Sequence, residues 1–169
     1  MELHCLCSAV LSCWGEKSGS RALGIGFRTG MSIKRRLTIP GQFEYLATIA
    51  DFIAEMGRDA GFDQDLIFHV QMAVDEACSN VIEHAYGAGD KGDITLSCDC
   101  NGKEWVISIY DKGHAFDPSS VPEPDLNANL DDIKTGGLGL YFMRQLMDEV
   151  EFSFDKKKGN KLRMVKREG

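Results

Sequence analysis

A carboxylate and an amide, Glu76 and Asn80, stand four residues apart inside an apolar-periodic stretch of the 169-residue chain. Residues at this spacing lie on one face of a helix, so that Glu76, Asn80 and His84 would form a polar row. An amide oxygen can bind Mg²⁺, which needs only one or two protein ligands when phosphates also coordinate it. A carboxylate one turn earlier could polarise an attacking hydroxyl as a general base. A solvated helix face ending in a histidine would show the same pattern.

A second candidate group is Asp111, which ends an alternating run and precedes Gly113 by two residues. A carboxylate at a strand end, followed by a glycine that permits close backbone approach, can accept a hydrogen bond from an exocyclic amine such as that of adenine. Guanine presents a carbonyl at that position, so an ionised Asp111 would reject it. An ordinary Asp-x-Gly turn is the alternative interpretation.

The third candidate is a glycine loop, in which Gly136, Gly137 and Gly139 lead directly into a helical pattern. Unpaired N–H groups at a helix N-terminus, together with the helix dipole, favour phosphate oxygens. The loop lacks the Gly-Lys-Ser/Thr ending of a Walker A motif, and its spacing differs from the dinucleotide fingerprint. A glycine-rich helix entry without a ligand remains the alternative.

Hydrophobic periodicity predicts the elements that would position these groups. Residues 33–39 alternate as a strand, residues 43–56 follow helical spacing, and a second helix begins after Asp63 as N-cap and ends near residue 86. Further predicted elements are a hairpin of residues 94–100 and 105–109 around an Asn101-Gly102 type I′ turn, a helix from 138 to about 148, and a closing hairpin of 150–154 with 162–165. The stretch 118–136 holds three of the four prolines, and long loops of this kind are usually functional.

The charge balance points away from nucleic acid. A formal net charge of -7 and a pI near 5.1 favour a protein or small-molecule partner over a phosphate backbone. Seven basic residues between Lys156 and Arg167 could dock an acidic partner, or could be a solvated strand edge.

The six cysteines match neither a disulfide scaffold nor a zinc site, which indicates a reducing cytoplasm. Residues 1–30 differ from the rest and are expected to be a disordered extension or an upstream-start segment, with residues 31–169 forming one domain. The apolar run from Leu6 to Trp14 is too short to span a membrane, and nothing basic precedes it as in a signal peptide.

Taken in order, the three candidate stretches resemble the N, G1 and G2 boxes of the GHKL ATPases, and most of all those of the small anti-sigma factor serine/threonine kinases. The resemblance covers about residues 31–168 and includes the sequence from Asp75 to Tyr86 and the Gly137-Leu-Gly-Leu-Tyr helix entry. It implies an α/β fold of the Bergerat type, an α+β two-layer sandwich whose mixed, mostly antiparallel sheet carries helices on one face.

The resemblance also implies roles for individual residues. Glu76 would be the general base, Asn80 the magnesium ligand and Asp111 the adenine acceptor, with residues 118–135 as a lid over the nucleotide. The remaining residues assigned to ATP binding are His84, Gly113, Phe116, Thr135, Gly136, Gly137, Leu138, Gly139 and Leu140. The chain departs from the family pattern at Ala115, where a second glycine is common, and at Asn160, where many relatives have a threonine beside the adenine.

These observations predict a protein serine/threonine kinase that uses ATP and Mg²⁺ and acts as an anti-sigma regulatory factor. It would phosphorylate an antagonist protein of the STAS type, sequester a sigma factor and form a homodimer in the cytoplasm, without contacting nucleic acid or membrane. Two other branches of the superfamily fit less well. A sensor histidine kinase needs a preceding dimerisation helix pair, and the roughly 45 residues between Met31 and Glu76, which open with a strand, leave no room for one. The gyrase and MutL types need a transducer domain after the ATP site. A nucleotide-gated binding switch with a non-sigma partner and little turnover is the alternative.

Overall fold

The computed structural model describes residues 32–86, 92–115, 118, 121, 137–155 and 157–169, and within these ranges the predicted elements are confirmed. The described residues form three α-helices and five strands, and a 3₁₀ turn, Phe43–Tyr45, precedes the first helix. The elements are β1 (Ile33–Pro40), α1 (Leu46–Ala60), α2 (Gln64–Asn80) with a π-helical continuation (Val81–Tyr86), β2 (Asp93–Asn101), β3 (Glu104–Asp111), α3 (Leu138–Leu146), β4 (Glu149–Asp155) and β5 (Gly159–Arg167).

The five strands form one sheet in the order β1-β2-β3-β5-β4, and every described pairing is antiparallel. The register places Leu96 opposite Ile109 and Ile109 opposite Leu162, so that alternate apolar side chains line a single face. This face is buried against the helices, which gives the expected α/β two-layer arrangement. The two central strands therefore carry Asp111 and Asn160 at the same end of the sheet.

Helices α1 and α2 pack closely because Gly57 on α1 leaves room for the side chains of Ile67 and Trp105. A Cβ atom on Gly57 would lie 2.6 Å from Cγ1 of Ile67 and 2.9 Å from Cζ3 of Trp105. Trp105 is fully buried and stacks on Phe62, with 5.3 Å between the ring centroids. Asp63 caps α2 as predicted, since its carboxylate accepts a hydrogen bond of 2.7 Å from the Leu66 N–H.

The turn between β2 and β3 differs from the prediction. Asn101 still pairs with Glu104, so the central turn residues are Gly102 and Lys103 and not Asn101 and Gly102. A type I′ turn needs positive φ at both central residues, but only Gly102 has it, with φ of 63°. The predicted turn type was therefore wrong, and glycine at the first central position fits a type II′ turn.

The two arginines of β5 are paired with local acids. Arg163 forms ion pairs with Glu149 at 2.9 Å and with Glu151 at 3.4 Å, and Arg167 pairs with Glu104 at 2.9 Å. These contacts favour a solvated strand surface over an acidic docking surface, but the predicted strand edge was wrong, because β5 lies between β3 and β4.

The thiols of Cys78, Cys98 and Cys100 are free and buried. Burial raises the pKa of Cys98 and of Cys100 to about 12, so both act as small apolar side chains and not as nucleophiles. In the described ranges no three His, Cys, Asp or Glu side chains are grouped to hold a metal ion. No described helix has the length and apolar character needed to cross a membrane.

Candidate functional site

The predicted polar row on α2 brings Glu76 and Asn80 into direct contact. The Asn80 amide nitrogen Nδ2 donates a hydrogen bond of 3.2 Å to Oε1 of Glu76. This contact orients the Asn80 amide so that its carbonyl oxygen Oδ1 is the atom left for another group. A single oxygen ligand of this kind fits Mg²⁺, which would take its other ligands from phosphates and water.

Glu76 lies in an environment that suits a proton acceptor. Burial raises the pKa of its carboxyl group, and the negative charges of Asp75 and Glu83 raise it further. The hydrogen bond from Asn80 and the charge of His84 lower the pKa and oppose this shift in part. A carboxylate with a raised pKa is a stronger base than an exposed one, as acid–base catalysis near neutral pH requires.

The glycine loop enters α3 directly against Glu76. Gly137, with φ of 99°, is the N-cap residue of α3, and no side chain caps the first turn. A Cβ atom on Gly139 would overlap the Glu76 carboxylate and lie 2.7 Å from its Cγ atom. The first N–H groups of a helix have no partner within the helix and attract anions. The structure thus places the N-terminus of α3, the kind of helix end that attracts anions, beside the candidate base.

This contact predicts that Gly139→Ala destabilises the protein. The added methyl group must displace either α3 or the Glu76 side chain, and overpacking of this kind costs about 1–3 kcal/mol of unfolding free energy. Urea denaturation of the wild type and the variant measures the difference. In a Glu76→Ala background the same substitution should cost less than half as much, and an equal cost would show that the Glu76 contact is not the cause.

At the other end of the site, Asp111 is held by two donors on one oxygen. Its Oδ1 accepts a hydrogen bond of 2.9 Å from the Gly113 N–H and one of 2.8 Å from Nδ2 of Asn160. The residue is 8% exposed, and among the described residues none donates to its second oxygen, Oδ2. Asp111 therefore presents a fixed acceptor, as recognition of an amine requires.

Asn160 is a site residue whose role the sequence did not reveal. Its Nδ2 also lies 3.1 Å from the Gly113 carbonyl oxygen and 3.3 Å from that of His114, so one amide group ties β5 to the Asp111 loop. The family resemblance places position 160 beside the adenine, where many relatives have threonine, but it gives no contact between Asn160 and Asp111. Its pairing opposite Asp111 depends on the register of two distant strands, for which the local sequence carries no signal.

The π-helical segment connects the two ends of the site. Its last residue, Tyr86, donates a hydrogen bond of 2.8 Å to the Asp93 carbonyl oxygen and accepts one of 3.2 Å from the Lys112 N–H. The His114 N–H donates to the Ala85 carbonyl oxygen at 2.9 Å, and a Cβ atom on Gly113 would lie 2.5 Å from that oxygen. Ala85 and Tyr86, nine and ten residues after Glu76, thus fix the loop after Asp111.

Tyr86 is also packed from its other side. A Cβ atom on Gly41 would lie 2.7 Å from the Tyr86 ring, one on Gly92 would overlap it, and the Gly41 N–H donates to the Gly92 carbonyl oxygen at 2.7 Å. The ring is therefore enclosed where β1 ends and β2 begins.

The other predicted residues fall into two groups. Leu140 belongs to the hydrophobic core, Leu138 is half-buried at the start of α3, and His84 is exposed with an ion pair of 3.9 Å to Glu83. Phe116, Thr135, Gly136 and the predicted lid, apart from residues 118 and 121, lie outside the described residues.

Comparison with known proteins relates this geometry to a family. Residues 39–166 match the family described as histidine kinase-like ATPase domain. The chain is 33% identical over 123 residues to "Serine-protein kinase RsbW" of Halalkalibacterium halodurans, covering 70% of the chain and 75% of the relative. It is 33% identical over 126 residues to the protein of the same name in a Bacillus cereus strain, covering 72% of the chain and 78% of the relative.

A solved structure shares the fold. The RsbU and RsbW domains of Rv1364c from Mycobacterium tuberculosis superpose with a TM-score of 0.58 at 18% identity. The match covers 80% of the present chain and 32% of that larger chain.

Proposed function

The chain belongs to the histidine kinase-like ATPase domain family, and on this premise we propose that it is a serine-protein kinase of the anti-sigma type. It transfers the γ-phosphoryl group of ATP to a serine hydroxyl of an antagonist protein. The observation that carries the proposal is the contact between Glu76 and Gly139, because it sets a base with a raised pKa against the helix terminus that suits phosphates.

In the proposed reaction Glu76 accepts the proton of the serine hydroxyl. The serine oxygen forms a bond to the γ-phosphorus, and the bond from that phosphorus to the bridging β-oxygen breaks, which releases ADP. Asn80 would hold Mg²⁺ through Oδ1, and the bound ion supplies charge neutralisation to the phosphate oxygens. The N–H groups at the start of α3 bind phosphate oxygens, while Asp111 accepts from the adenine amine and so orients the nucleotide.

The proposed partners are those implied by the resemblance to the anti-sigma factor kinases. The acceptor is an anti-sigma factor antagonist of the STAS type, and the second partner is a sigma factor that the chain sequesters. A homodimer in the cytoplasm is the proposed form of the protein. The raised pKa of Glu76 favours catalysis over the alternative of a nucleotide-gated binding switch, which has no need for a base.

Incubation with γ-³²P-ATP, Mg²⁺ and purified STAS-type proteins encoded by the same genome tests the proposal. We expect label on a serine of one such protein, and no label when EDTA removes the metal. Label on a histidine of the kinase chain itself would contradict the proposed reaction. ATP-dependent binding of a partner without any transfer would favour the binding switch.

A further inference from the structure

Three exposed apolar side chains lie on the neighbouring helices α2 and α3. The described residues include six large apolar side chains that are exposed, and three of these lie on the two helices: Phe68 at 44%, Met72 at 38% and Phe142 at 45%. We call these three residues the α2–α3 patch. Single exposed apolar residues are ordinary, but a group of them on neighbouring elements usually marks an interaction surface.

On α2 the patch continues the row that carries the candidate catalytic groups. Phe68, Met72, Glu76 and Asn80 follow one another at intervals of four residues, so each lies about one turn from the next. Met72 is therefore about 6 Å along the helix from Glu76. A protein surface resting on Met72 would be within reach of the Glu76 carboxylate.

The course of α3 adds Phe142 to the same surface. The helix begins with Gly139 against Glu76, and just after its end the Asp148 N–H donates a hydrogen bond of 2.8 Å to the Val165 carbonyl oxygen. Val165 pairs with Val106, which follows Trp105 at the end of the sheet where α2 begins. Helix α3 thus runs antiparallel to α2, and Phe142, about one turn into α3, lies at the level of Met72.

We propose that the α2–α3 patch is the docking surface for the antagonist protein whose serine is phosphorylated. The inference rests on the proposed function, because a kinase that acts on a protein must hold that protein next to its catalytic base. The patch is continuous with Glu76 along α2 and offers apolar anchors of the kind that dominate protein interfaces. The matching surface of the antagonist would carry apolar residues around the acceptor serine.

Among the described residues, the opposite face of the sheet carries no comparable group of exposed apolar side chains. Its outward row includes Lys34 paired with Asp99 at 2.7 Å and Arg163 paired with Glu149 at 2.9 Å. Tyr110, 37% exposed on that face, lies under the Lys161 ammonium group, which is 5.7 Å from the ring centroid. Tyr110 therefore provides a control of similar exposure on a surface that faces away from α2 and α3.

Binding measurements with serine substitutions test the docking surface. Isothermal titration of the full chain, loaded with a non-hydrolysable ATP analogue, with a purified STAS-type antagonist from the same genome gives the affinity without requiring transfer. The double variant Phe68→Ser/Phe142→Ser should bind the antagonist roughly tenfold or more weakly. It should bind the ATP analogue as the wild type does, and Tyr110→Ser should leave both affinities unchanged.

The possible results of these measurements separate the docking surface from the kinase reaction. Unchanged antagonist affinity in the double variant would overturn the docking proposal, as would failure of every such antagonist to bind the wild type. A shift from dimer to monomer in sedimentation, with the antagonist affinity retained, would assign the patch to a second copy of the chain and overturn the proposal. Binding that depends on the patch but leads to no serine labelling would support the docking surface and contradict the kinase reaction.

Discussion

Replacement of Glu76 by glutamine is expected to lower the rate of phosphoryl transfer to the antagonist by about 10²- to 10⁴-fold, the range that general bases contribute. Glutamine keeps the size of the side chain and an oxygen that can accept from Asn80, so the hydrogen bond seen at 3.2 Å can persist. Only the capacity to take up a proton is lost. Initial rates of ³²P transfer, measured at saturating ATP, give the effect.

The ATP affinity provides the control for this substitution, because the variant should bind the nucleotide about as well as the wild type does. Phosphoryl transfer by Glu76→Gln at the wild-type rate would show that Glu76 is not the general base. Loss of ATP affinity together with transfer would point instead to a role in binding.

The pH dependence gives an independent test of the same role. Burial raises the pKa of Glu76, so protonation removes the base at a higher pH than for an exposed glutamate. The transfer rate of the wild type should therefore fall as the pH drops through that raised pKa. The residual rate of Glu76→Gln should show no such fall, and a parallel fall in both proteins would assign the titration to another group.

The second large effect is expected at the other end of the site, where Asp111→Ala should weaken ATP binding by roughly 100-fold. Loss of a hydrogen bond to a charged group accounts for about 1.5–3 kcal/mol, which is about 10- to 150-fold in affinity. The substitution also removes the acceptor for the Gly113 N–H and for Asn160. The loop after Asp111, which is proposed to approach adenine, therefore loses the two hydrogen bonds that hold it in place. Titration with a fluorescent ATP analogue measures the affinity.

Two further variants test whether Asp111 itself accepts the hydrogen bond from adenine. Asn160→Ala should weaken ATP binding less than Asp111→Ala does, since it removes the support and keeps the acceptor. Asp99→Ala removes a carboxylate paired with Lys34 on the opposite sheet face and should have no effect. Equal affinity of the wild type for ATP and GTP would contradict recognition of the adenine amine.

The elements could be predicted because their signals are local. The Asp63 cap, the alternation along β2 and β3 and the helical spacing of α1 each depend on residues within one element, and each is confirmed. The type I′ turn was wrong because the strand pairing extends one residue further than the Asn-Gly pattern suggests.

The support of the site could not be predicted in the same way. Asn160 meets Asp111 only through the register of β3 and β5, and Tyr86 reaches Lys112 only because α2 ends in a π-helical turn. Neither the register of distant strands nor a change of helix type leaves a recognisable local pattern. The residues proposed to contact the nucleotide could thus be predicted more easily than those that hold them in place.

The enclosed ring of Tyr86 couples the edge of the sheet to the loop after Asp111, which is proposed to approach adenine. One phenol group fills the junction of β1 and β2 beside Gly41 and Gly92, while its hydroxyl holds the Lys112 N–H. A protein that binds to or displaces β1 would therefore alter the affinity of the chain for the nucleotide without contacting the nucleotide. Thermodynamic linkage makes the coupling reciprocal, so the nucleotide must alter the affinity for that protein by the same factor.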